Sequence, residues 1–397
     1  MLMEHQTDTR TEYARQPYFD LSEEQKQFQE LAHTFAENEI RPVAPQYDEA
    51  EEFPWEVIKK GNELGLMTYA FPEEYGGAGA TNAMTAVVIT EELAWGCAGI
   101  ATAMGGTGLC ATPIMVAGNP AQKAKYLTRL ADAKKLALGA YAITEPNAGS
   151  DVASMKTTAK KVSGGYVLNG TKQFITNGGL ADVYVVFATV DLAQRADGIC
   201  AFIVEKDMGV KPGKKEKKMG IRASHTAQIH LEDVFVPEEN RLGEEGEGFL
   251  IAMRTFEHTR PDVAAMAVGV ARAAFEYATD YAQQREQFGK PIARLQAIGF
   301  MLADMATEID AARLLTWRSA WMLDQGLPVN KEASMAKRFA ADTAMKVTTD
   351  AVQVLGGVGY MRDYPVEKWM RDAKIMQIYE GTSQVQRVVI SRMLTGW

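Results

Sequence analysis

The amino-acid sequence predicts an α+β protein of several domains: an N-terminal helical domain, a middle antiparallel β-domain and a C-terminal four-helix bundle. A length of 397 residues exceeds what one ordinary hydrophobic core supports. The spacing of apolar residues changes from a helical period to alternation near residue 136, and it returns to a helical period near residue 249. We therefore expect a leader at 1–18, a helical domain at 19–135, a β-domain at 136–248 and a helical bundle at 249–397.

The N-terminal domain is predicted to begin with a capped helix. Ser22 followed by Gln25 has the spacing of a capping box, in which each side chain bonds the backbone N–H of the other residue. One apolar face then follows at helical spacing, formed by Phe28, Leu31 and Phe35. Pro42 is expected to end or kink this helix because proline has no N–H to donate.

The middle domain contains four runs rich in β-branched and aromatic residues, at 166–168, 183–187, 201–204 and 229–236. The first run follows a Ser-Gly-Gly turn, as one arm of a hairpin would. Polar loops bound the other runs. This pattern predicts a sheet domain inserted between the helical domains.

Long amphipathic runs with short connections predict the C-terminal helical bundle. One apolar stripe consists of Val263, Ala267, Val270, Ala274, Tyr277 and Tyr281, and a second of Leu295, Ile298, Leu302, Met305 and Ile309. A third run, at 331–355, stops at Gly356, a residue type that commonly ends helices.

Composition and charge argue against several classes of protein. A net charge of −9 argues against a nucleic-acid partner. Three cysteines without paired spacing and five histidines outside ligand spacing predict buried thiols in a reducing compartment and no metal site. No apolar run approaches the ~20 residues that cross a bilayer, and the polar N-terminus does not resemble a secretory signal. A cytoplasmic protein without a membrane span is expected.

The segment YAITEPNAGSD at 141–151 has the residue types of a site for a phosphorylated, planar cofactor. Gly149 permits close backbone approach, Ser150 can donate to a pyrophosphate oxygen, and Thr144 can bond a ring edge. An ordinary Pro-Asn-Ala-Gly turn remains the alternative. No GxGxxG motif follows a strand, so a doubly wound dinucleotide fold is not supported.

An acid between an aromatic residue and a glycine is a candidate general base near the C-terminus. In QIYEGTS at 377–383, Gly381 leaves one backbone face open to a ligand, and apolar neighbours can raise the proton affinity of Glu380. The alternative is a residue on the approach to a helix that Thr382 or Ser383 caps.

With these segments in view, the sequence resembles the acyl-CoA dehydrogenase family of flavoenzymes, and most closely its medium-chain branch, from about residue 19 onward. Four blocks carry the resemblance in family order: YAITEPNAGSD at 141–151, KQFITNG at 172–178, REQFGKP at 285–291, and a C-terminal block from Gln353 to Thr382. The resemblance implies an FAD enzyme that desaturates acyl-CoA thioesters.

The resemblance also implies which residues bind the flavin ring. Tyr141, Ile143 and Thr144 would line the isoalloxazine, and Phe174 would pack against it where many members carry Trp. Thr176 would hydrogen-bond flavin N5 and so tune the hydride acceptor.

For the rest of FAD, the resemblance implies a pyrophosphate contact from Ser150 and a second from Arg285, which would reach the cofactor of a neighbouring subunit. The further contacts implied are Gly149, Gln287, Phe288, Ile292, Leu295, Gln353, Gly357, Thr382 and Gln384. Plain helix packing remains the alternative for Phe288, Ile292 and Leu295.

In chemical terms, the resemblance implies that Glu380 removes the pro-R α-proton while the β-hydride passes to flavin N5. The Glu380 N–H and a ribityl hydroxyl would hold the thioester oxygen. Some branches of the family place the base at the position of Thr259, which cannot act as a base, and this strengthens Glu380. Glu257 would help to position substrate beside Arg260, or would be a solvated acid in a first helical turn. Ser150, Thr259, Tyr379 and Gly381 would also contact substrate.

The resemblance implies that the floor of the acyl pocket comes from Ala101, Thr102 and Gly105, and that Ala101 and Gly105 replace two larger polar side chains of medium-chain relatives. Smaller residues deepen a cavity, and each extra buried methylene contributes about 0.8 kcal/mol. Medium-to-long straight-chain acyl-CoA is therefore expected, unless Met104 fills the space.

The resemblance implies electron-transferring flavoprotein as the electron acceptor and a homotetramer, arranged as a dimer of dimers, as the assembly. Two alternatives stay open: an acyl-CoA oxidase-like flavoprotein that reduces O₂, and a non-catalytic scaffold with the same fold.

Overall fold

The structure is a computed structural model that describes residues 21–396, so the expected leader at 1–18 lies outside the described residues. Before the sheet, the described residues form α1 Glu23–Phe35, α2 Ala44–Ala50, α3 Trp55–Glu63, α4 Ala83–Gly96, α5 Ala98–Ala117 and α6 Pro120–Leu130. Ser22 and Gln25 form the predicted capping box at the start of α1. After α1 a single π-helical turn, Ala36–Ile40, ends just before Pro42, as predicted.

The middle sheet contains β1 Gly139–Ala142, β2 Thr158–Val162, β3 Gly165–Thr176, β4 Val183–Thr189, β5 Ile199–Glu205, β6 Lys211–Lys215, β7 Thr226–Pro237 and β8 Arg241–Leu242. The strand order is β6-β7-β3-β2-β4-β5-β8, with β1 beside β4. Most neighbouring strands pair antiparallel, as predicted, but the sheet is mixed, because β1 and β2 pair parallel with β4. The chain between β1 and β4 is long enough for the crossover that parallel pairing requires.

The C-terminal part consists of α7 Gly248–Gln284, a hairpin of β9 Glu286–Gln287 and β10 Lys290–Pro291, and then α8 Gln296–Asp324, α9 Asn330–Leu355, α10 Val366–Met376 and α11 Ser383–Thr395. Helix α9 packs against α7, α8, α10 and α11. It ends at Gly356, as predicted, with a φ of +67°. Because α7 begins at Gly248, Glu257 lies in its third turn and not in a first helical turn.

Helix α5 corrects the expectation that no apolar run approaches membrane length. It spans 20 residues and is long and apolar enough to cross a membrane by length and composition. More than half of its apolar window is buried inside the protein, and Ile100, Cys110 and Ile114 have no exposed surface. The helix packs against α4, α6, α7 and β1, so its apolar composition is that of a core helix.

A buried ion cluster joins the N-terminal helices to the C-terminal helices. Arg272 of α7 donates from Nη1 to Glu91 at 2.8 Å and to Glu92 at 2.9 Å, both in α4. Arg313 of α8 donates to Glu91 at 2.7 Å, and His33 of α1 contacts Glu92 at 2.8 Å. The two glutamates and two arginines are buried. The cluster therefore holds three helices around α4.

Candidate active site

Glu380 lies in the short connection between α10 and α11, where its φ of +50° is in the left-handed region. Gly381 follows with a φ of +90°. Thr382 is the N-cap of α11, and its hydroxyl accepts from the N–H of Val385 at 3.1 Å. The helix-approach interpretation of this segment is therefore correct, and the same turn presents the candidate base.

The Glu380 carboxylate meets a hydroxyl from α7. Thr259 Oγ1 donates to Glu380 Oε2 at 2.7 Å. Burial raises the pKa of Glu380 above its usual range, against the Thr259 hydrogen bond and the charges of Lys337 and Arg260, which all lower it. A partly desolvated carboxylate with a raised pKa is a better proton acceptor than a solvated one.

We expect Thr259→Val to move the acid limb of the kcat/KM pH profile to higher pH. The hydroxyl bonds the ionised carboxylate and so lowers the pKa of Glu380, and its loss raises that pKa. A profile of kcat/KM against pH with a saturating electron acceptor measures the shift. Thr259→Ser keeps the hydroxyl and should leave the acid limb at the wild-type pH. An acid limb at the wild-type pH in Thr259→Val would contradict the hydrogen bond assigned to Thr259.

Two ionisable residues whose charges interact with Glu380 were missed in the sequence. Asp262 lies three residues after Thr259 and so on the same face of α7. Burial, and then the Glu380 charge, raises the pKa of Asp262 to about 8. Lys337 of α9 is fully buried beside the Glu380 turn. Spacing along α7 was the available signal for Asp262, whereas no local pattern marks Lys337.

Arg260, expected beside substrate, is directed toward α9. Its Nη1 donates to Asn330 Oδ1 at 2.7 Å and contacts Ser334 Oγ at 3.4 Å. Its buried Nε has no partner within the described residues. No ion pair joins it to Glu257 in residues 21–396, so a joint role for these two in substrate binding stays a prediction.

The residues expected at the flavin ring lie on adjoining segments. The N–H of Gln173 donates to the carbonyl of Thr144 at 2.8 Å, which places β3 against the segment after β1. Phe174 is 59% exposed with a φ of +59°, and Thr176 ends β3. The Tyr141 hydroxyl is buried without a partner in the described chain, and Glu380 is close enough to raise the pKa of Tyr141, after burial.

Six of the residues expected to contact FAD away from its ring line one groove of about 480 Å³: Arg285, Gln287, Phe288, Ile292, Leu295 and Gly357. Phe288 lies at the tip of the β9–β10 hairpin, 88% exposed, with a φ of +56°. Gln353 lies one turn before Gly357 and is not among the lining residues. An open groove, an orphaned tyrosine hydroxyl and free space at Gly149 and Gly357 fit a large flat cofactor. Ser150 and Gln384 are exposed.

On α5, the residues expected at the acyl pocket differ in the space around them. No heavy atom lies within 4 Å of a Cβ built on Gly105, whereas Ala101 is only 6% exposed. Burial and the Glu380 charge raise the pKa of Tyr379, whose hydroxyl donates to Met376 Sδ at 2.9 Å, and Thr102 of α5 lies close enough to lower that pKa. The small side chains therefore lie on a helix that passes near the Glu380 turn.

Comparison with known proteins gives the class. The N-terminal, middle and C-terminal domains of acyl-CoA dehydrogenase match residues 22–134, 140–234 and 246–395. The chain therefore belongs to the acyl-CoA dehydrogenase family, and it is an oxidoreductase whose cofactor is FAD.

Individual relatives align over nearly the whole chain. The short-chain specific acyl-CoA dehydrogenase of Clostridium acetobutylicum is 46% identical over 94% of this chain and 98% of its own. The butyryl-CoA dehydrogenase structure from Megasphaera elsdenii superimposes with a TM-score of 0.92 at 46% identity, covering 95% of this chain and 99% of its own. A chain in the structure of the electron transferring flavoprotein of Acidaminococcus fermentans superimposes with a TM-score of 0.92 at 47% identity. This match covers 95% of this chain and 99% of the other chain.

Proposed function

We propose that Glu380 removes the α-proton of a short straight-chain acyl-CoA thioester, and that the electrons pass to an electron-transferring flavoprotein. The observation that carries the catalytic assignment is the Glu380 carboxylate, partly desolvated and bonded by Thr259 at 2.7 Å. A weakly acidic proton beside a thioester carbonyl requires a base whose pKa is raised toward that of the substrate.

The same turn offers a donor for the thioester oxygen. The Glu380 N–H has no hydrogen-bond acceptor within the described part of the chain. An unpaired N–H beside a base is suited to stabilise negative charge that develops on a carbonyl oxygen. FAD, when bound, supplies the acceptor for the β-hydride, and Tyr141, Ile143, Thr144, Phe174 and Thr176 are the residues we propose to hold its ring.

The length of the acyl chain of the substrate distinguishes two versions of the proposal. Medium-to-long substrates were expected from Ala101 and Gly105, and the space around Gly105 favours them. The relatives do not support that expectation, since one is specific for short chains and another acts on butyryl-CoA. We therefore propose short chains.

A panel of straight-chain acyl-CoAs tests this choice. With anaerobic flavin reduction as the readout, we expect kcat/KM to peak at four to six carbons and to fall steeply by twelve. Gly105→Leu is the matched control, because filling the open space should reduce the rates of longer substrates far more than that of the four-carbon thioester. A peak at twelve carbons would restore the medium-to-long proposal.

The electron acceptor and the assembly are further parts of the proposal. Reoxidation of the reduced enzyme by an electron-transferring flavoprotein, compared with O₂, distinguishes a dehydrogenase from the oxidase-like alternative. The exposed Phe288 at its hairpin tip, beside a groove that Arg285 lines, supports a homotetramer in which one subunit reaches the cofactor of another. The cytoplasmic location stays a prediction.

A further inference from the structure

The backbone turn that carries Glu380 is held by a single buried ammonium group. Lys337 Nζ donates to the carbonyl of Tyr379 at 2.8 Å and to the carbonyl of Gly381 at 2.7 Å. These two carbonyls flank Glu380 in the sequence. The Lys337 side chain has no exposed surface, so its charge is committed to this turn.

A second side chain reinforces the same turn. Gln386 Nε2 donates to the carbonyl of Glu380 at 3.1 Å and to that of Gly381 at 3.0 Å. Three consecutive carbonyls thus receive side-chain donors. A non-glycine residue in the left-handed region costs about 1–3 kcal/mol and persists only where its surroundings fix it. Lys337 and Gln386 provide that fixation for Glu380.

The geometry of the peptide unit gives this contact a consequence for the chemistry. The carbonyl of Tyr379 and the N–H of Glu380 belong to one planar trans peptide, in which they point in opposite directions. A Tyr379 carbonyl that is bonded to Lys337 therefore turns the Glu380 N–H away from Lys337. This N–H has no acceptor in residues 21–396, which leaves it free for a ligand.

We propose that Lys337 is a positioning residue for the reaction: it orients the peptide between Tyr379 and Glu380 so that the N–H serves the thioester oxygen while the carboxylate faces Thr259. This inference rests on the proposed function, since it presupposes that Glu380 is the base. In this proposal a buried lysine orients both the N–H and the carboxylate of Glu380, which act together on the substrate.

Lys337 also acts on Glu380 through its charge. The ionisable groups near Glu380 are Arg260 and Asp262 from α7, Lys337 from α9, Tyr141 from β1, and the adjacent Tyr379. Lys337 is the leading cation among those that lower the pKa of Glu380. Burial lowers the pKa of Lys337 itself to about 8, so the ammonium form predominates at neutral pH.

Two variants separate orientation from charge. Lys337→Met removes both the hydrogen bonds and the charge. We expect kcat to fall about 10- to 100-fold, less than the ~10²- to 10³-fold lost with an oxyanion donor itself, because the Glu380 N–H is still present, and KM to stay within about twofold. Lys337→Gln removes the charge but keeps an N–H donor, so it should retain more of kcat. In both variants the acid limb of the kcat/KM profile should move to higher pH, because the carboxylate loses a cation that favours its ionised form.

The matched control is Lys346→Met, an exposed lysine of the same helix that pairs with Glu308 and should leave kcat and the pH profile unchanged. FAD content and the melting temperature of the holoenzyme identify variants that fold. If folded Lys337→Met has the wild-type kcat and its acid limb does not move, the inference is wrong. If Lys337→Met loses FAD, Lys337→Gln takes its place, and a wild-type kcat with an unmoved limb in that variant contradicts the inference. Turnover near the wild-type rate in Glu380→Gln would instead contradict the proposed function, because it would show that Glu380 is not the base.

Discussion

Glu380→Gln is expected to lower the rate of flavin reduction by acyl-CoA about 10³- to 10⁴-fold, the effect of losing an essential base. Glutamine keeps the size of the side chain and can still accept the Thr259 hydrogen bond seen at 2.7 Å, but it cannot take up a proton. FAD and acyl-CoA should still bind, because the variant leaves the groove and the adjoining segments intact. Rapid mixing under anaerobic conditions measures the rate of bleaching.

Glu56→Gln is a suitable control, since this exposed acid lies in α3 and forms an ion pair with Lys59 on the surface. It should reduce flavin at the wild-type rate. Near-wild-type bleaching in Glu380→Gln would show that another group removes the proton, and Asp262 would then be the first candidate because it is a buried acid on the same face of α7 as Thr259. An unreactive Glu380→Gln together with an unchanged control supports the base assignment.

Sequence patterns predicted those features whose determinants lie close together along the chain. The capping box of Ser22 and Gln25 and the helix stop at Gly356 are local and are present in the structure. Thr382 caps α11 for the same reason. The segment around Glu380 was recognisable because an acid, a glycine and a capping residue are contiguous.

Features that depend on packing between distant segments were not predictable in this way. Lys337 is 42 residues from Tyr379, and only the fit of α9 against the α10–α11 connection brings their atoms together. The parallel pairing of β1 with β4 was missed because a four-residue strand has no pattern of its own. The length of the acyl chain was inferred from Ala101 and Gly105 alone, and two side chains on one helix do not define the whole volume of a pocket.

Arg272→Met is expected to destabilise the protein by about 3–5 kcal/mol, the cost of leaving buried charges without their partner. Arg272 is 1% exposed and bonds both Glu91 and Glu92, while its Nε lies 3.4 Å from Glu276. Methionine fills a similar volume but satisfies none of these carboxylates. Urea unfolding of the FAD-bound enzyme, monitored by tryptophan fluorescence, measures the loss.

Lys59→Met is the comparison for an ion pair in solvent, and it should cost at most about 1 kcal/mol. A second change, Glu92→Gln in the Arg272→Met background, should recover part of the stability because it removes one of the orphaned charges.

The loss of stability in Arg272→Met should depend on pH because of Glu92. Burial alone would raise the pKa of Glu92, but its contacts with Arg272 and His33 lower that pKa to about 2. A depressed pKa gives a contribution that is fully present above the ordinary value of about 4.5 and is lost as pH falls toward 2. Arg272→Met should therefore destabilise most at neutral pH and progressively less below about pH 4.5. An equal loss at all pH values would mean that Arg272 acts by packing alone.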